Sequence, residues 1–245
     1  MRQLALVLTL MAVSPSTVSA EEIRVLSVGS LASGLESIAE QYKAAAGHDV
    51  VIEVGTATMI SERLESGDTA DILITTATVI EEAANRGHAD IATAAVVGRV
   101  GIGMAIRAGI TVPVVDNNDD LSQLLLDANS VTYNRGSSGI YVASLIERLG
   151  LSGQLETSTA IYQNGGQVVD HVLDGNGTDI SLTPVTVIRD NESRGLQLVR
   201  LPDQAQNYTS YTGVVMTGAV DEAGDFLQFL TTPSAREAFV ATGVE

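Results

Sequence analysis

The sequence repeats one local pattern, a short apolar strand followed by a turn of small residues and then an amphipathic helix. The clearest example is residues 131–150, VTYNRGSSGIYVASLIERLG, where Gly136 and Gly139 interrupt the strand and apolar residues then recur at helical spacing. The same order occurs three times between residues 22 and 87. Regular alternation of strands and helices predicts an α/β fold with mostly parallel sheets flanked by helices.

The turns of this pattern consist of small, flexible or hydroxyl-bearing residues. They lie at residues 29–30, 56–58, 136–139 and 164–166. Turns at the carboxyl ends of the strands of an open α/β sheet converge on the ligand site. Each of these turns also begins a helix, whose first N–H groups are unpaired and carry a partial positive charge. One such turn is typical of an ordinary capped helix, but four together predict a site for a small anion.

Charge limits the partners that the chain can bind. Its 245 residues include 13 Lys and Arg against 30 Asp and Glu, a formal net charge of −17. Nucleic acid is therefore not an expected partner, because phosphate binding requires a basic face. Arg135 precedes the turn at 136–139 and could hold a carboxylate through two parallel hydrogen bonds. A solvated surface position for Arg135 is the equally open alternative.

Residues 1–20 have the pattern of a secretory signal peptide, with Arg2, an apolar run and a small-residue cleavage site. We therefore expect a mature chain that starts at Glu21 and is periplasmic. The sequence has no Cys and only three scattered His, which gives no spacing for a metal site. We expect no metal and no cofactor.

Two segments are interpreted as strands that cross between two lobes. The first is the apolar, Gly-spaced run at 94–106, and the second is the β-rich run at 208–217. Two crossings would act as a hinge between the lobes.

A secreted serine hydrolase is the alternative from another functional class. Ser137 or Ser138 would be the nucleophile and His171 the base. The turn reads G-S-S-G and does not match the G-x-S-x-G pattern of hydrolases. We therefore expect a binding protein and no enzyme.

Three segments resemble the molybdate-binding and related periplasmic solute-binding proteins of ABC uptake systems. They are RVLSVGSLASGLESIAEQYKAAAGHDVVIEVGTAT, ISERLESGDTADILIT and GSSGIYVASLIERLG. The resemblance implies a two-lobed type II periplasmic binding protein fold, with 21–97 and 211–245 in lobe 1 and 98–210 in lobe 2. It also implies a monomer that closes on a small anion and presents it to an ABC membrane permease. The alternative to a permease partner is a receptor, to which a sensory protein would present its closed lobes.

The same resemblance places ligand contacts on a small set of residues, to which we add Arg135 and Ser137 from the turn itself. The complete set is Ser30, Thr56, Ala57, Thr58, Arg135, Ser137, Ser138, Gly166 and Pro184. Two positions depart from the molybdate pattern, since Ala57 has no hydroxyl and Pro184 stands where molybdate binders keep a Tyr. These departures, together with Arg135, favour an organic di- or tricarboxylate. A molybdate, tungstate or sulfate-type oxyanion is the alternative ligand.

Overall fold

The computed structural model describes residues 22–245, so the predicted signal peptide lies outside the described residues. The strands are β1 Glu22–Val28, β2 Asp49–Gly55, β3 Ile72–Thr75, β4 Ala89–Arg107, β5 Ser130–Asn134, β6 Thr159–Tyr162, β7 Asp179–Pro184, β8 Leu196–Arg200 and β9 Tyr208–Met216. The helices are α1 Ala32–Ala46, α2 Ala57–Glu65, α3 Ala77–Asn85, α4 Asn118–Asp127, α5 Ser137–Arg148, α6 Gly165–Asp174, α7 Val185–Arg189, α8 Ala223–Phe229 and α9 Pro233–Thr242. The predicted α/β class is confirmed.

The strands form a sheet in the order β2-β1-β3-β9-β4-β7-β5-β6, with β8 paired to β4. β1 runs parallel to β2 and β3, and β5 runs parallel to β6 and β7. The antiparallel pairs all include β4 or β9. β4 contains the first segment predicted to cross between lobes, β9 covers 208–216 of the second, and the two strands pair with each other. The expectation of mostly parallel pairing therefore holds on either side of the crossing strands and not along them.

Two main hydrophobic cores lie on opposite sides of this crossing. One includes Ile23, Leu35, Ile74, Phe226 and Phe239. The other includes Ile102, Leu125, Val131, Val142 and Leu182. We call the elements packed around them the first and the second lobe. Val100 belongs to the first core and Ile102 to the second, so β4 passes from one lobe to the other near Gly101.

Polar side chains and glycines fix where several helices begin and end. The Thr56 hydroxyl accepts a hydrogen bond from the Met59 N–H at the start of α2, and the Asn164 side chain accepts one from the Gln167 N–H at the start of α6. Gly47 ends α1 with a φ of 82°, a left-handed conformation that favours glycine. Within residues 22–245, no helix is both long enough and apolar enough to cross a membrane.

Candidate functional site

A cavity of about 330 Å³ lies between the two lobes, at the carboxyl ends of the strands. Strand register brings its walls together. Val28 at the end of β1 pairs with Gly55 at the end of β2, and Asn134 at the end of β5 pairs with Tyr162 at the end of β6. The turns that follow these strand ends therefore face one space, as the sequence pattern predicts.

Seven of the nine residues predicted for the site line this cavity. They are Ser30, Thr56, Ala57, Ser137, Ser138, Gly166 and Pro184. Thr58 and Arg135 are exposed and are not among the lining residues. The Thr58 hydroxyl instead donates a hydrogen bond of 3.4 Å to the Arg135 carbonyl oxygen, which links α2 of the first lobe to the start of α5 in the second.

Two helix starts at the cavity have no side-chain cap. α5 begins at Ser137 after Gly136, and no side chain caps it. The short 3-10 helix Gly29–Leu31, which precedes α1, is also uncapped by a side chain. Because uncapped N–H groups lack a partner within the helix, both starts can donate to an anion. Ser138 on α5 is buried and lines the same space.

Asn134 is a lining residue that the sequence analysis missed. Its side-chain oxygen accepts a hydrogen bond of 2.7 Å from the Gly136 N–H, and the residue is buried. This contact fixes the course of the turn that presents Ser137 and Ser138 to the cavity. An Asn two residues before a glycine is a recognisable turn signal, so this role was accessible from the sequence.

Tyr211 is a second missed residue, and it comes from the crossing strand β9. It is 2% exposed and lines the cavity. The Ser30 hydroxyl donates a hydrogen bond of 3.0 Å to the Tyr211 hydroxyl oxygen. Tyr211 pairs with Gly98 of β4, so it lies where the two crossing strands run side by side.

Asp190 is the only acidic residue among the residues that line the cavity, and no Lys or Arg of the described range lines it. Asp190 follows α7 and accepts a hydrogen bond of 2.7 Å from the Ser33 hydroxyl of α1. Within residues 22–245, no three His, Asp or Glu residues are grouped so that they could hold a metal ion. An anion in this cavity would therefore be held by neutral donors and helix N-termini.

The family model described as bacterial extracellular solute-binding protein matches residues 23–245. The chain belongs to this family. The resemblance to periplasmic solute-binding proteins is thus confirmed over nearly all of the described residues.

This solute-binding protein is also similar to individual proteins. A curated relative, aconitate isomerase from a Pseudomonas species, is 24% identical over 232 residues, which cover 91% of this chain and 87% of the relative. The periplasmic molybdate-binding protein of Azotobacter vinelandii is 17% identical with a TM-score of 0.76, over 91% of this chain and 98% of that one. PEB3 of Campylobacter jejuni with bound L-phospholactate is 15% identical with a TM-score of 0.72, over 91% and 99%. At these identities the two solved structures indicate a shared fold.

Within residues 22–245, His171 does not form the predicted hydrolase pair with Ser137 or Ser138. The His171 ring nitrogens lie 2.7 Å from the Ser130 hydroxyl and 2.8 Å from the Tyr162 hydroxyl. Ser130 also donates to Asp179, and both residues begin their strands, at the end opposite to the cavity. His171 therefore joins Tyr162 at the end of β6 to Ser130 and Asp179 at the starts of β5 and β7, and it has no hydrogen bond to Ser137 or Ser138.

Proposed function

We propose that the protein captures a small organic anion with two or three carboxylates in the periplasm and presents it to an ABC permease. One observation carries the proposal: uncapped helix starts from both lobes, at Ser30 and at Ser137, face a single cavity to whose lining residues 22–245 contribute no Lys or Arg. Such starts attract negative charge, and hydroxyls beside them can replace water around it.

Binding between two lobes explains how the ligand would favour closure. A polycarboxylate carries its charges on separate carbons, so one carboxylate can lie at the first-lobe turn and another at the second-lobe turn. A ligand that contacts both lobes only when they are close together shifts the population toward that arrangement. The same interpretation gives the proposed lobe boundaries, with 21–97 and 211–245 in the first lobe and 98–210 in the second.

The size and the lining of the cavity support a carboxylate over a compact tetrahedral oxyanion. The cavity of about 330 Å³ leaves room for a ligand larger than one compact tetrahedral ion. Ala57 offers no hydroxyl, and Pro184 has neither a hydroxyl nor an N–H to donate. The proposal does not depend on Arg135, because its exposed side chain is outside the lining.

The named relatives lend support to both ligand classes. Aconitate is a tricarboxylate and phospholactate carries a carboxylate, which supports the organic anion. The molybdate-binding protein supports the alternative, a molybdate, tungstate or sulfate-type oxyanion, and similar solved structures named for molybdenum or sulfate give this alternative more support than the carboxylate receives. The family as a whole is extracellular, which supports the periplasmic location.

Calorimetric titration with trans-aconitate, citrate, molybdate and sulfate would test the proposal. We expect a tricarboxylate to bind and to raise the free energy of unfolding by about 2.7 kcal/mol at 100 times its dissociation constant. Ser138→Ala should weaken that binding by roughly 1 to 3 kcal/mol, the range for a lost hydrogen bond to a charged group. Arg135→Ala is the matched control and should bind like the parent. Micromolar molybdate binding with no carboxylate response would replace the proposal with the oxyanion alternative.

A second candidate function is isomerisation of an unsaturated tricarboxylate. The name of the curated relative suggests it, and the cavity lining contains two groups that exchange protons, the Asp190 carboxyl and the Tyr211 phenol. One proton would leave the methylene carbon of aconitate and one would be added at the former vinylic carbon, so no oxidant or reductant is needed. Proton NMR of trans-aconitate incubated with the protein would detect the cis isomer. Binding without conversion would leave transport as the function.

A further inference from the structure

The hydroxyls of Ser30 and Tyr211 carry two hydrogens between them, and the hydrogen bond that joins them uses only one. Each hydroxyl has one hydrogen to donate, and the single hydrogen bond between them uses one of the two. Among residues 22–245, neither hydroxyl makes another hydrogen bond. One O–H of the pair therefore has no acceptor.

The position of the pair makes this unused donor significant. Tyr211 is only 2% exposed, and both Ser30 and Tyr211 line the cavity between the lobes. A buried donor without an acceptor costs free energy unless something in the cavity accepts its hydrogen. Ser30 already donates to Tyr211, so the free hydrogen is on the phenol.

We infer that the Tyr211 phenol donates a hydrogen bond to the bound anion and thereby helps to select it; this rests on the proposed function. The phenol is a neutral donor, and its bond to an anionic oxygen is charge-assisted and short. Tyr211 supplies a hydroxyl from β9 in a cavity where Pro184 at the end of β7 supplies none. The donor thus comes from a different wall, which changes the ligand shape that the cavity accepts.

The position of Tyr211 on the crossing strand β9 determines where the ligand would be held. β9 pairs with β3 of the first lobe at residues 212–215 and with β4 at Tyr211 and Gly98. A ligand held by Tyr211 is therefore anchored on a strand that passes between the lobes, and not only at the helix starts.

Tyr211→Phe tests the inference, because it removes the hydroxyl and keeps the ring that fills the core. Titration with trans-aconitate and with molybdate should show affinity for the bound anion at least tenfold weaker than in the parent. The melting temperature of the protein without anion should not fall. Tyr208→Phe is the matched control, since Tyr208 is on the same strand, 41% exposed and outside the cavity lining, and its affinity should equal that of the parent.

The outcomes distinguish a failure of the Tyr211 donor role from a failure of the proposed function. If the parent binds an anion and Tyr211→Phe binds it equally well, the donor role is refuted while the proposed function stands. If the parent binds none of the anions tested, the proposed function fails and this inference fails with it.

A double-mutant cycle with Ser30→Ala tests whether the two hydroxyls act as one unit. Both variants disturb the same shared hydrogen bond, so their combined loss of affinity should be smaller than the product of the two single losses. Losses that multiply would mean that Ser30 and Tyr211 act independently, which would overturn the paired arrangement.

Discussion

Ser33 of the first lobe donates a hydrogen bond of 2.7 Å to the Asp190 carboxylate of the second. Ser33 lies in the first turn of α1, and Asp190 directly follows α7 and also lines the cavity. The bond between Thr58 and the Arg135 carbonyl is a further link between the lobes. Elements around the cavity are thus hydrogen-bonded between the lobes, in addition to the connection through β4 and β9.

Ser33→Ala should weaken anion binding by about twofold to tenfold. The variant loses one hydrogen bond between the lobes, with a net value of about 0.5 to 1.5 kcal/mol, and the bond contributes only when the lobes are close together. Titration calorimetry would measure the change. Ser37→Ala, an exposed position one turn later on α1, is the control and should have no effect. Equal affinity of the Ser33 variant and the parent would contradict a role in closure.

Asp190→Asn should have the opposite effect and strengthen anion binding severalfold. Asn keeps an oxygen that can accept the Ser33 hydrogen bond, but it removes the one acidic side chain that the described residues contribute to the cavity lining. The gain should shrink as salt is added, because the repulsion is screened. Titrations at low and high ionic strength would measure both effects, with the exposed Glu192→Gln as the charge-matched control. Weaker binding by Asp190→Asn would point to a role for the carboxylate in holding the ligand.

The parts of the site formed by local sequence were predictable, whereas the parts formed by distant contacts were not. Gly and hydroxyl residues at strand ends indicated the turns around Ser30 and Ser138, because a turn and a helix start are local properties. Tyr211 meets Ser30 across 181 residues of sequence, and only the pairing of β9 beside β4 brings them together. Arg135 follows the last residue of β5, and nothing in the local pattern determines whether such a side chain faces the cavity or solvent.

Gly139→Ala should destabilise the protein by about 1 to 3 kcal/mol or more. A Cβ at this position would overlap the Asn134 carbonyl, a backbone group that cannot rotate away, because α5 packs very close to the end of β5. Urea denaturation would give the free energy of unfolding. Gly153→Ala is the control, since a Cβ there meets no atom within 4 Å and the backbone conformation suits alanine. Equal stability of the two variants would mean that α5 can move away from β5.

A network of charges on the first lobe should make stability depend on acid pH. Hydrogen bonds from Arg24 and then Arg63 hold the pKa of the Glu53 carboxyl below its ordinary value, and a hydrogen bond from Arg63 lowers the pKa of Asp68. A carboxyl whose pKa is lower in the folded state stabilises the fold above the unfolded value, near 4, and loses this contribution as the pH falls through the folded value.

Glu53→Gln should therefore reduce the free energy of unfolding at pH 7 and reduce it less at acid pH. The loss should stay below about 1 kcal/mol, because the Arg24 and Glu53 side chains are 42% and 39% exposed and solvent screens their attraction. Urea denaturation at pH 7 and near pH 3 would measure the difference from the parent. Glu65→Gln removes one partner of the more exposed pair with Arg86 and should change stability less at either pH. A difference between Glu53→Gln and the parent that is the same at both pH values would mean that packing, and not charge, accounts for the effect of Glu53.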